Sequence, residues 1–212
     1  MGFQVLLDLI GSAVVGGLFI LSLLSFSAQN SETKRAFRDE ISAQSNLLSV
    51  VQVLEEDFRQ MGYCKIKSAM AAPIVTNAGP DYITFKTDIP DGPGGEGDGV
   101  VDTVAYKFGD YVTSTPNPND RYLLRSVNSG PYVGSSMGVT FFDLQYLNYK
   151  GDTLARPVST DQLRQITAIQ VTIKVENTYP YTSSTGLDTL VVVDANWKQL
   201  RFEIRNFGKG AI

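Results

Sequence analysis

The side chains best equipped for chemistry crowd into one short stretch, DIPDGPGGEGDGVVD, residues 88–102. Asp88, Asp91, Glu96, Asp98 and Asp102 offer the hard oxygen ligands that calcium takes, and the interleaved glycines permit the tight turns such a site needs. The spacing is not that of an EF-hand, which places ligands at alternate positions and a glutamate at the twelfth. A solvated hairpin tip is the competing reading, and the residues alone leave both open. Calcium is the one cofactor the inventory suggests. The chain has no histidine and a single cysteine, Cys64, which removes intrachain disulfides, most zinc sites and histidine general bases. Lys65 beside Cys64 is too little to activate a thiol, so Cys64 reads as a small buried hydrophobe. No nucleophile–base pairing or phosphate loop is present, so an enzyme is not expected. A net charge of -4 without clustered Lys and Arg argues against nucleic acid as a partner.

A sixth acid stands apart. Asp8 precedes an uncharged run, residues 9–31, of roughly 23 positions, where a membrane-spanning helix needs about 20. A carboxylate near lipid costs a few kcal/mol and requires a partner. The nearest cation is an α-amino group, its own or that of a neighbouring copy. Gly11, Ser12, Gly16 and Gly17 allow close helix approach, with Ser12 and Gly16 at small-xxx-small spacing. A secretory signal peptide would carry a basic start and a shorter apolar run. The segment instead reads as a helix built to pack against copies of itself.

These residues need a long element to carry them. No Pro or Gly interrupts residues 31–61. Leu47, Val51, Leu54, Phe58 and Met61 recur at 4-3-4-3 spacing, with Leu48, Val50 and Val53 widening the stripe. Gly62 supplies the stop. One helix from about Val5 to Met61 follows, apolar all round in its first half and amphipathic in its second. Gly16 and Gly17 are its weak point. Phe3, Phe19, Phe26, Phe37 and Phe58 are too far apart to stack and read as packing residues.

Residues 65–80 read as a loop. Strand character then recurs at YITFK (82–86), VVDTVAYKF (100–108), RYLLRSV (121–127), VTFFDLQYLNY (139–149), the alternating stretch 169–176, LDTLVVVDANW (187–197) and the closing run with Leu200, Phe202 and Ile204 inward. TYPYTSSTG (178–186) reads as a second hairpin connection. The expected fold is α+β: a long N-terminal helix packed on an antiparallel sheet of six or seven strands. It divides into an apolar membrane or filament-core helix (1–31), its amphipathic continuation (32–63) and a β-rich head (64–212).

Gly2-Phe3 followed by an apolar helix with an early acid is similar to the start of type IV pilins and type II secretion pseudopilins. VLEEDFRQMGY (53–63) resembles the helix end of minor pilins and pseudopilins, and LRFEIRNFG (200–208) resembles their last strand. The acid stands five residues after Phe3 where the family has four, no basic leader precedes it, and Lys34, Arg35 and Arg38 follow the apolar run. The resemblance implies cleavage after a glycine such as Gly2, pairing of the early carboxylate with the amine of an adjacent subunit, and helices bundled into a filament core. The expectation is therefore a structural subunit of a cell-envelope or extracellular filament. It would be held in the inner membrane before assembly, with copies of itself and other pilin-like subunits as partners. A membrane-anchored minor or tip pseudopilin, or a binding module of a secretion apparatus, is the alternative.

Overall fold

The computed structural model describes residues 2–90, 97–182 and 190–204. A single helix, α1 (Gly2–Arg59), runs unbroken through Gly16 and Gly17. At about 1.5 Å per residue its 58 residues reach roughly 87 Å. It starts at Gly2 rather than Val5 and ends at Arg59 rather than Met61. Gly62 then turns the chain away at φ 74°, a left-handed conformation that favours glycine, and its amide donates to the carbonyl of Lys86 at 2.9 Å.

Among the described residues ten strands follow: β1 (Val75–Ala78), β2 (Tyr82–Thr87), β3 (Asp102–Tyr111), β4 (Arg121–Val127), β5 (Val133–Ser135), β6 (Val139–Leu147), β7 (Ala168–Glu176), β8 (Tyr181–Thr182), β9 (Leu190–Val191) and β10 (Asp194–Glu203). All pairings are antiparallel. The first five form a meander in sequence order; β10, β7 and β6 form a second sheet with β7 in the middle; β8 and β9 make a two-stranded ribbon. The α+β architecture is as expected. Two details differ. The expected 65–80 loop holds a 3-10 turn (Lys67–Ala69) and β1, and the end of one expected strand joins the closing strand as β10.

The helix lies against the second sheet, chiefly β10 and β7. Ala43, Leu47, Val50, Val51, Leu54 and Phe58 are buried, followed by Met61 just past the helix end. Leu48 and Val53 are exposed, so the buried stripe is narrower than the sequence suggested; Ala43 instead carries it a turn further back. Phe58 is the pivot of the core. Its ring centre lies 5.4 Å from Phe85, 5.7 Å from Tyr106 and 5.2 Å from Phe202, which joins the helix to both sheets. Tyr146, fully buried, places its hydroxyl on the carbonyls of Gly79 (2.8 Å) and Tyr82 (3.0 Å), tying the second sheet to the first. Along β7, Ile169, Val171, Ile173 and Val175 face inward and are fully buried. Glu176 breaks the alternation by being buried as well, because the loop before β4 covers it.

Candidate functional site

Two surfaces carry the sequence-derived candidates: the helix before the head, and the β2–β3 connection. On the helix, residues 2–31 are exposed throughout, and Asp39, which accepts from Asn177 of the head, lies about two turns beyond them. Phe3, Asp8, Gly11, Ser12, Gly16 and Gly17 all lie on this free part. A Cβ built on Gly11, Gly16 or Gly17 would meet nothing within 4 Å, so nothing within the chain requires glycine there. Ser12 donates its hydroxyl to the carbonyl of Leu9 at 2.9 Å, and Ser22 does the same to Leu18. These two hydroxyls are thus satisfied by the helix's own backbone, as an apolar environment demands. The nearest side-chain cation to Asp8 along the chain is Lys34, about seven turns away. The helix is long and apolar enough to cross a membrane.

Of the five phenylalanines along the helix, only Phe58 packs in the core; Phe3, Phe19, Phe26 and Phe37 are exposed. Burying them requires another molecule.

Three sets of hydrogen bonds fix the second half of the helix to the head. Asn177 donates to Asp39 at 3.4 Å and accepts from the amide of Val193 at 3.0 Å. Asp57 receives Arg125 through Nε at 2.6 Å and Nη2 at 3.1 Å, and also the hydroxyl of Tyr106. This two-point guanidinium–carboxylate contact sets orientation as well as position. Burial, then the Asp57 charge, pushes the Tyr106 hydroxyl far above its usual value, keeping it a donor. The hydrogen bond that Arg125 donates to Asp57 likewise pushes the guanidinium up. At the helix exit, Thr87 donates to the carbonyl of Gln60 at 2.9 Å. Asp57 was not singled out from sequence, because Glu55, Glu56 and Asp57 run consecutively. Its position three residues after Leu54 and one before Phe58 is the signal that could have separated it.

The acidic stretch connects β2 to β3, as a hairpin tip would. Asp91 and Glu96 lie outside the described residues. Asp88 is fully buried, and its Oδ2 accepts the amides of Lys65 (2.9 Å) and Gly99 (3.0 Å). Asp98 caps its own turn by accepting from Val100 at 2.7 Å. Asp102 accepts from the amide of Ile89 (2.8 Å) and from Asn128 (2.6 Å). A Cβ on Gly97 would sit 2.0 Å from Asp88 Oδ1, so a side chain there would displace the buried carboxylate. The described carboxylates shape the turn, and among the described residues no three His, Cys, Asp or Glu side chains are grouped to share a metal ion. Cys64 is buried beneath this turn with its thiol toward the carbonyl of Gly99 at 3.6 Å. Burial pushes that thiol up, which suits packing rather than reactivity.

Compared with protein-family models and with curated proteins, the chain shows no match.

Proposed function

We propose that the chain is a structural subunit of a cell-envelope or extracellular filament, with residues 2–31 packed among the same helices of other copies and the β-rich head displayed outside. Before assembly, the apolar helix sits in the membrane. The observation that carries this reading is a single continuous helix whose second half is clamped to the head while its first half stands exposed. From Phe3 to Phe26, fifteen large apolar side chains are each more than half exposed. A patch of that size marks an interaction surface. Burying each such side chain is worth roughly 1.5–3 kcal/mol, a strong drive toward lipid or toward other copies.

Asp8 and the glycines favour copies over lipid alone. A solitary anchor gains nothing from an acid at the membrane boundary, and Gly11, Gly16 and Gly17 serve no contact inside the chain. In a bundle, the acid meets an amino terminus and the glycines admit a neighbouring backbone.

Electron microscopy of the full chain after detergent removal, beside the Asp8→Ala variant, tests the proposal. Helical fibres are expected from the wild type, with their yield cut at least tenfold in Asp8→Ala while the head keeps its circular-dichroism spectrum. Normal fibre yield from the variant would remove Asp8 from assembly. No fibres from the wild type would overturn the filament reading itself.

A further inference from the structure

Where the two sheets meet at the head's surface, a recess of about 310 Å³ opens between the β3–β4 side and the β6–β7 side. Arg121 stands on one wall, at the start of β4. Its guanidinium carbon lies 4.0 Å from the ring centre of Phe108 and 5.3 Å from that of Tyr111, and its Nε donates to the carbonyl of Gly109 at 2.8 Å. These contacts hold the guanidinium in place before any ligand arrives. Among the described residues Arg121 joins no ion pair. The other lining cation, Lys174, is already engaged by Glu176 (2.9 Å) and Asp194 (3.2 Å).

The opposite wall adds an unexplained group. Thr140 Oγ1 is buried yet has no hydrogen-bond partner among the described residues. Buried hydroxyls are rarely left so, and each case calls for a missing partner. Tyr111, beneath Arg121, and Phe141, next to Thr140, stay 63% and 48% exposed at the mouth. Asn119 and Glu176 complete the lining. With Lys174 held by two carboxylates, Arg121 is the one lining cation that has no carboxylate partner among the described residues.

We infer that this recess binds an acidic monosaccharide unit of the hexuronate class. A fixed guanidinium with free Nη groups matches the two oxygens of a carboxylate. Exposed aromatic faces suit the C–H face of a sugar ring, and Thr140 and the exposed Asn119 suit its hydroxyls. The volume lies at the small end of ligand sites, the size for one ring rather than a long polymer segment. A phosphate is disfavoured, since a dianion would meet Glu176 with only one uncommitted cation. A peptide carboxylate would satisfy Arg121 but leave the hydroxyl-bonding groups idle. The inference stands apart from filament assembly, because none of these residues lies on α1.

The test uses the full chain in a polyoxyethylene detergent, which carries no sugar headgroup. Saturation-transfer NMR and calorimetry are run with galacturonate and a short oligogalacturonate, against glucose and a blocked Asp-Asp peptide. The uronates are expected to bind and to show transfer to their ring protons, with glucose and the peptide at least tenfold weaker. Arg121→Gln and Thr140→Val should each weaken uronate binding, the first at least tenfold, without shifting the thermal midpoint by more than a few degrees. Absence of uronate binding, equal binding of glucose or peptide, or unchanged binding by Arg121→Gln would each overturn the assignment.

Discussion

Single residues fix how this chain's parts are joined, and Glu176 shows how a charge does so. Burial alone would push its carboxyl up, but hydrogen bonds from Lys174, Asn117 and Asn119 together outweigh burial and hold it below its ordinary value of 4.5. An acid with a depressed folded value contributes stability that is present above the unfolded value and lost as pH falls through the folded one. The head should therefore keep this contribution above about pH 4.5 and lose it progressively below. Asp120 acts in the opposite sense, since burial pushes its carboxyl up and its ionisation weighs against the fold as pH rises. Comparing denaturant unfolding of the wild type and Glu176→Gln between pH 3 and pH 7 isolates the Glu176 contribution. The variant's stability should depend less on pH below 4.5, and an identical pH slope would show that Glu176 is not responsible. None of this was legible in the sequence. The alternation along β7 assigned Glu176 to the outer face, and only the fold brings Asn117 and Asn119 across to cover it.

Elements were more legible than residues, and the reason is periodicity. The stripe through Leu47, Val51, Leu54, Phe58 and Met61 alternates steps of four and three, close to the helical period of about 3.6, and could mark only one helix face, which is the face buried here. Leu48 and Val53 were misassigned because apolar character does not say which side of the stripe the sheet ends on. β1 was missed because four residues with only their two end positions buried show no alternation. The acids of the β2–β3 connection were legible as a cluster, but their separate tasks were not, because an amide-accepting carboxylate and a metal ligand look the same in sequence. The element-level test contrasts two phenylalanines of α1. Phe58→Ala removes a fully buried ring that touches Phe85, Tyr106 and Phe202 and should cost about 3–5 kcal/mol. Phe37→Ala removes an exposed ring and should change head stability by less than about 0.5 kcal/mol. Denaturant unfolding of both variants decides it: comparable losses would mean that Phe37 is packed against the head after all.

At the scale of the whole molecule, the chain is two half-independent objects on one helix. The head owns a continuous core in which every buried helix residue, from Ala43 to Phe58, lies beyond the exposed segment. The clamps at Asp39, Asp57 and Gln60 also lie beyond it. Residues 2–31 contribute no buried side chain to that core, so removing them takes away no packing. Removing them does take away the fifteen exposed apolar side chains between Phe3 and Phe26, the strongest reason for the chain to leave water. A chain beginning at Glu32 should therefore be soluble without detergent, monomeric by analytical ultracentrifugation, and equal in unfolding free energy to the full chain within about 1 kcal/mol. It should form no fibres at any concentration. Loss of the fold on truncation would mean that the free helix stabilises the head by contacts absent from this arrangement. Fibres from the truncated chain would mean that head-to-head contacts drive assembly, and the exposed helix would then be an anchor rather than the filament core.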